Sequence, residues 1–89
     1  MRAVITVVGK DKKGIIAKVS GLLFETDVNI LDISQTIMQD MFTMVMLVDI
    51  STSTISFDGM VDRLNCIGNE VGVKIQIQHE DIFNSMHKI

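Results

Sequence analysis

The stretch Val8–Ile16, VGKDKKGII, decides the fold of this chain, because a strand, a polar loop and a helix meet within it. A run of mostly β-branched residues, 3–8, leads into it and predicts a strand at Arg2–Val8. After Gly14 the apolar residues recur at the spacing of one helix face, which predicts a helix at Lys13–Glu25. The inward stripe of this helix is expected to consist of Ile15, Ile16, Val19, Leu22 and Leu23.

The loop at the start of this helix has two interpretations. The first turn of a helix carries N–H groups without intrahelical partners, and the helix dipole is positive there, so the loop can hold a carboxylate or a phosphate. Alternatively, Asp11 or a neighbouring residue accepts hydrogen bonds from these N–H groups, and the loop binds nothing. The residues of the loop alone leave both interpretations open.

The remaining apolar periodicity predicts three further strands and two further helices. The strands are predicted at Asn29–Gln39, Phe42–Ser51 and Val73–Gln78, and the helices at Phe57–Glu70 and Glu80–Ile89. The order βαββαβ predicts a ferredoxin-like sandwich of the α/β (α+β) class, with an antiparallel four-stranded sheet in the order 4-1-3-2 and both main helices on one face. Residues 1–79 would form this domain, and residues 80–89 a C-terminal amphipathic helical tail.

The two faces of the predicted sheet differ in what covers them. One face packs against the helices and takes alternate residues of the first and third strands, among them Ile5, Met44 and Met46. The other face has an apolar centre that needs a cover, which is either the C-terminal helix or a second subunit. Its centre is predicted to be Val4, Val8, Val45 and Leu47, and its polar borders Asp32, Ser34, Thr36, Lys74, Gln76 and Gln78.

The composition argues against several functions that this fold can support. The net charge is −3 and the chain has neither Tyr nor Trp, so nucleic-acid binding lacks both the positive charge and the stacking side chains that it needs. The single cysteine, Cys66, allows no intrachain disulfide and is interpreted as a half-buried structural thiol. The histidines and carboxylates of the tail lack the spacing of a metal site and are interpreted as exposed charges. The apolar runs are far too short for a membrane span.

Several motifs in one order resemble those of the ACT domain family. Asp11, Gly14 and Ile15 form a D-x-x-G-I loop, and the pair Asn29-Ile30 opens the second strand. The third strand reads F-T-M-x-M-x-V-D, and the resemblance covers most of residues 2–78. The chain is similar to stand-alone bacterial ACT proteins and to the N-terminal half of the glycine cleavage system repressor.

The resemblance implies a regulatory small-molecule-binding module of the cytoplasm, with no enzymatic activity and no cofactor. Its ligand would be an amino acid or a similar zwitterion bound at the interface of a homodimer. The chain would then act on a regulated enzyme or regulator, without contacting nucleic acid or membrane. The ligand-binding residues are expected to be Asp11, Lys13, Gly14, Ile15, Asn29, Ile30 and Leu31.

Three features of this expectation stay open at this point. Asp11 either pairs with the ammonium of the ligand or caps the helix, while the backbone N–H groups around Gly14 donate to the ligand carboxylate. The second subunit either pairs with the edge of the second strand or packs against the open face of the sheet. The alternative function is a protein–protein interaction module that binds no small ligand.

Overall fold

A computed structural model describes residues 1–10 and 14–86 of the chain. Its elements are β1 (Arg2–Lys10), α1 (Ile15–Glu25), β2 (Asn29–Met38), β3 (Met41–Asp49), α2 (Phe57–Val71), β4 (Lys74–His79) and α3 (Glu80–Met86). The strands form one antiparallel sheet in the order β2-β3-β1-β4. The predicted ferredoxin-like fold and its strand order are therefore confirmed.

The core lies between the sheet and the two main helices. Side chains alternate between the two faces of a strand, and the register places Ile5 beside Met46 and Val7 beside Met44 on the helix side. Both methionines are fully buried, as predicted from their alternation. The helices contribute Ile15, Val19, Leu22 and Leu23 from α1, and Met60 and Leu64 from α2.

The ends of α2 are fixed by the residue types that the sequence places there. Ser56 is extended, and its hydroxyl accepts a hydrogen bond at 3.0 Å from the N–H of Gly59, one of the free donors of the first turn. Gly72 ends the helix with a φ of 85°, a left-handed conformation that glycine adopts readily. Asp27, after α1, is also left-handed, with a φ of 60°.

Two predicted burials are wrong. Ile16 was expected in the inward stripe of α1 but is 41% exposed, because it lies about 100° around the helix from the buried Ile15. Cys66 was expected to be half-buried but is exposed. The buried side of α2 runs through Met60 and Leu64 at a spacing of one turn, and Cys66 lies about 200° from Leu64 on the opposite side.

The sheet face opposite the main helices is partly covered by α3. Val4 lies on this face and is only 5% exposed, whereas Val8 on the same face is 36% exposed. α3 lies against β1 and β4, and its Glu80 forms an ion pair with Arg2 at 2.8 Å. Arg2 and Val4 share one face of β1, so we attribute the burial of Val4 to α3. The part of this face around Val8 stays open.

β2 is an edge strand and the least buried strand of the sheet. All of its residues except Ile30 are exposed. A β-bulge between Ile30 and Asp32, which the sequence analysis did not predict, leaves Leu31 without a partner on β3. In a regular strand, residues three positions apart face opposite sides of the sheet. The bulge instead allows both Ile30 and Ile33 to face the helices.

Candidate functional site

The N-terminus of α1 differs from that of α2 in how the described residues cap it. Its N-cap is Gly14, with a φ of 86°, and no side chain in the described ranges caps it. The turn also has no acidic residue, whereas α2 begins with the capping Ser56 and has Asp58 in its first turn. The described residues therefore leave the N–H groups of this first turn available to a carboxylate. Asp11 and Lys13 lie outside the described residues, so the proposed roles of these two side chains stay predictions.

The second group of predicted binding residues opens β2. Asn29 is exposed and lies opposite Asp49 of β3. Ile30 is half-buried, and Leu31 is 44% exposed at the bulge. The amide of Asn29 and the side chain of Leu31 are thus accessible at one corner of the sheet.

Gly14 and Asn29 lie at opposite ends of α1 within one chain. The helix has 11 residues, which corresponds to a rise of about 16 Å. The sheet register agrees, because Asn29 aligns with Arg2 at the start of β1, whereas Gly14 follows Lys10 at its end. A single amino acid cannot contact both residues of the same chain.

An exposed apolar surface connects these two ends. We call it the edge surface and define it as the outer edge of β2 together with Ile16, Phe24, Ile33 and Ile37. Phe24 is 88% exposed and Ile37 59%, which is unusual for large apolar side chains grouped on a small domain. The sequence analysis did not single out Phe24, although an aromatic residue outside the inward stripe of an amphipathic helix was a usable signal.

One flank of α1 faces α2, because Lys18 pairs with Glu70 and Glu25 pairs with Arg63. Ile16 and Phe24 stand eight positions apart and lie about 80° from each other around the helix, away from these ion pairs. Phe24 lies about 180° around the helix from the buried Ile15, so it is exposed on the side of α1 that is turned away from the core.

The carboxyl group of Asp49, which lies opposite Asn29, is kept ionised. Hydrogen bonds from Ser51 lower its pKa below the ordinary value, and the backbone N–H of Ser51 lies 2.9 Å from Oδ1. The ammonium of Met1, at 3.6 Å, acts in the same direction and partly compensates the charge. The corner that holds Asn29 therefore has an acceptor suited to an ammonium group at neutral pH.

His79 and Glu80, where the domain meets the predicted tail, make contacts that were not expected from the sequence. His79 ends β4, and its ring stacks on Phe57 with the ring centroids 4.2 Å apart. Glu80 is half-buried and paired with Arg2, so the interpretation of both as exposed charges is wrong. Within residues 1–10 and 14–86, no group of three His, Cys, Asp or Glu residues is arranged to hold a metal ion. No helix in the same ranges is long and apolar enough to cross a membrane.

Comparison with protein families and known sequences gives consistent matches over the whole domain. The family model that matches is described as the ACT domain, over residues 2–78. A UPF0237 protein of Clostridium acetobutylicum is 58% identical over 89 residues, which cover 100% of both chains.

Solved structures give the same result. An ACT domain protein from Streptococcus pneumoniae has a TM-score of 0.80 and 45% sequence identity, and the match covers 98% of each chain. A glycine cleavage system transcriptional repressor has a TM-score of 0.70 and 27% identity, over 86% of this chain and 44% of that one. The resemblances predicted from the sequence are confirmed.

Proposed function

This chain belongs to the ACT domain family, and on that premise we propose that it is a cytoplasmic sensor that binds an amino acid as a homodimer. ACT domains are regulatory ligand-binding modules, so the chain would report its ligand to an enzyme or regulator and carry out no reaction itself. The observation that carries the proposal is the opposite placement of Gly14 and Asn29 around an exposed strand edge.

The edge surface supports a dimer formed through β2. An exposed edge strand offers unpaired backbone N–H and C=O groups to another strand. A two-fold dimer would use this surface in both copies and would bury the exposed Phe24 and Ile37 against the partner. The face-to-face alternative would bury less apolar surface, because α3 already covers the part of the open face around Val4.

Pairing of two β2 strands would complete the binding site. Both β1 and β2 run antiparallel to β3, so β2 ends at the side of the sheet where Gly14 begins α1. Two β2 strands related by a two-fold axis run antiparallel, and the start of one lies beside the end of the other. Asn29 of the partner subunit would therefore lie near Gly14, and the dimer would contain two such sites.

The chemistry of this shared site suits a zwitterion. The N–H groups of the first turn of α1, at Gly14 and Ile15, which no described side chain caps, would donate to the carboxylate of the ligand. The side-chain carbonyl of Asn29 of the partner subunit would accept from the ammonium. Ile30 and Leu31 flank Asn29 and would contact the side chain of the ligand, while Lys13 would add positive charge beside the carboxylate.

We expect one of the twenty amino acids to raise the unfolding temperature of the protein. A ligand that binds only the folded state adds about 2.7 kcal/mol at a hundredfold excess over its Kd, which corresponds to a shift of several degrees for a domain of this size. Asn29→Ala should remove most of the shift. Gln76→Ala, which removes an exposed amide from the other edge strand, β4, should leave it unchanged.

The measurement is a thermal unfolding scan with each amino acid at millimolar concentration, followed by calorimetric titration of the best one. A shift that is equal in Asn29→Ala and in the unmodified chain would contradict the proposed site. If none of the twenty stabilises the fold, the second candidate function applies, a protein–protein interaction module without a small ligand. The exposed edge surface favours this candidate as the alternative.

A further inference from the structure

A small apolar cavity lies on the α2 side of the sheet, apart from the edge surface. Its volume is about 190 Å³, and its walls come from the end of β4, the start of α2 and the segment after β3. Its lining includes the apolar or aromatic side chains of Ile50, Ile55, Phe57, Met60, Ile77 and His79, together with Met1, Ser53 and Ser56. None of these residues belongs to the proposed amino-acid site.

The size and polarity of the cavity define what it can hold. A dry apolar cavity of about 150 Å³ is large enough to bind benzene, so this one accommodates an aromatic molecule with one ring or two small fused rings. Met60 and Ile77 at its base are almost completely buried, whereas Ile50 and Ile55 are half-buried. The cavity therefore extends from the core towards solvent and is open to a ligand.

The wall formed by the segment after β3 is held in place by hydrogen bonds. The backbone N–H of Thr54 donates to the carbonyl of Thr26 at 2.9 Å, and the hydroxyl of Thr52 donates to the carbonyl of Asp27 at 2.8 Å. Ser53 bonds the backbone of Ile55 within the segment. The cavity is thus preformed, which lowers the entropic cost of binding.

The stacked pair of Phe57 and His79 gives the cavity an aromatic wall with one polar edge. The two rings are nearly parallel, with an interplanar angle of 13°. None of the hydrogen bonds found among the described residues involves the imidazole of His79, and the side chain is half-buried at the cavity. A ring nitrogen can therefore exchange a hydrogen bond with a ligand whose ring packs against the apolar walls.

We propose that this cavity is a second binding site, for a small aromatic molecule of one or two rings with a single hydrogen-bonding group. The ring would pack on Met60, Ile55 and Phe57, and the polar group would bond the imidazole of His79. Two independent features carry this assignment, a preformed apolar volume of suitable size and an aromatic wall whose polar edge has no partner in the described chain.

Indole and benzene are suitable probes, and methyl-labelled protein provides the readout. Titration with indole should shift the methyl resonances of Met60, Ile50, Ile55 and Ile77 saturably in the low millimolar range or below. Intermolecular nuclear Overhauser effects should connect the indole protons to the methyl group of Met60. Benzene, which lacks a hydrogen-bonding group, should bind at least threefold more weakly than indole.

Three variants test whether indole binds in this cavity or at another surface. Ile55→Trp fills part of the volume and should weaken indole binding at least tenfold, whereas Ile82→Trp, at an exposed position on α3, should leave binding unchanged. Asn29→Ala should also leave indole binding unchanged, so this proposal can fail or succeed independently of the amino-acid site. The proposal is overturned if the methyl shifts do not saturate, if the Overhauser effects lie elsewhere, or if Ile55→Trp binds indole normally while folded.

Discussion

Replacement of both Phe24 and Ile37 by lysine should convert the proposed dimer into folded monomers. In the single chain these side chains are 88% and 59% exposed, so their loss should cost the fold little. In the dimer they would be buried, and a fully buried side chain of this type contributes about 1.5–3 kcal/mol. The two-fold axis doubles this loss and places like charges on both copies. We therefore expect the dissociation constant of the dimer to increase at least a hundredfold.

Sedimentation equilibrium of the double variant would measure this effect. A matched control is Ile82→Lys, because Ile82 is 51% exposed but lies on α3, away from β2. The control should retain the association of the unmodified chain. If the double variant associates as tightly as the control, the proposed edge pairing is wrong.

A single added methyl group at Gly68 should destabilise the fold by about 2 kcal/mol. A Cβ at this position would stand 2.7 Å from the backbone carbonyl oxygen of Val73, which is shorter than any van der Waals contact. The carbonyl of Gly68 also accepts the N–H groups of Gly72 and Val73 that end α2. Both the added Cβ and the carbonyl oxygen of Val73 are held rigidly by the backbone. The contact could therefore be relieved only if α2 moved away from β4.

Gly21→Ala is the matched control, and its effect on the stability of the fold should have the opposite sign. Gly21 lies within α1, and a Cβ there would meet nothing within 4 Å. Gly21→Ala should therefore stabilise the fold by up to about 1 kcal/mol through helix propensity alone. Urea unfolding of both variants measures the difference, and a Gly68→Ala protein as stable as Gly21→Ala would show that α2 and β4 pack less closely than described.

The fold was predictable from the sequence because local patterns and topology agree. The strand alternation of β3, the serine before α2 and the glycine after it each specify an element or its end. The bulge in β2 was not predictable, since its only signal is an alternation that fails between Ile30 and Ile33. Burial at the margin of a helix face was equally hard to assign, as Ile16 shows.

The candidate site was predictable residue by residue but not as one arrangement. Gly14 could be singled out because a glycine at the start of a helix leaves backbone donors uncapped. The distance between Gly14 and Asn29 could not be predicted in the same way, because it depends on the direction of β2 relative to α1 and therefore on the whole sheet. The partner surface was predictable only in part, because Phe24 lies outside the inward stripe of α1, whereas the exposure of Ile37 depends on the position of β2 at the edge of the sheet.

Complementation between two defective chains tests the shared site most directly. Gly14→Asp places a carboxylate at the proposed carboxylate site, where the added Cβ meets no described residue within 4 Å and aspartate tolerates the left-handed conformation. Neither Gly14→Asp nor Asn29→Ala should bind the amino acid when alone. In a mixed dimer, Gly14 of the Asn29→Ala chain would meet Asn29 of the Gly14→Asp chain and restore one site.

The measurement is a calorimetric titration of an equimolar mixture of the two variants after subunit exchange, with the amino acid that stabilises the unmodified protein. Random pairing makes half of the dimers mixed, each with one intact site of two, so the mixture should recover about a quarter of the binding capacity of the unmodified protein. A mixture that binds no more ligand than the two separate variants would contradict a site shared between subunits.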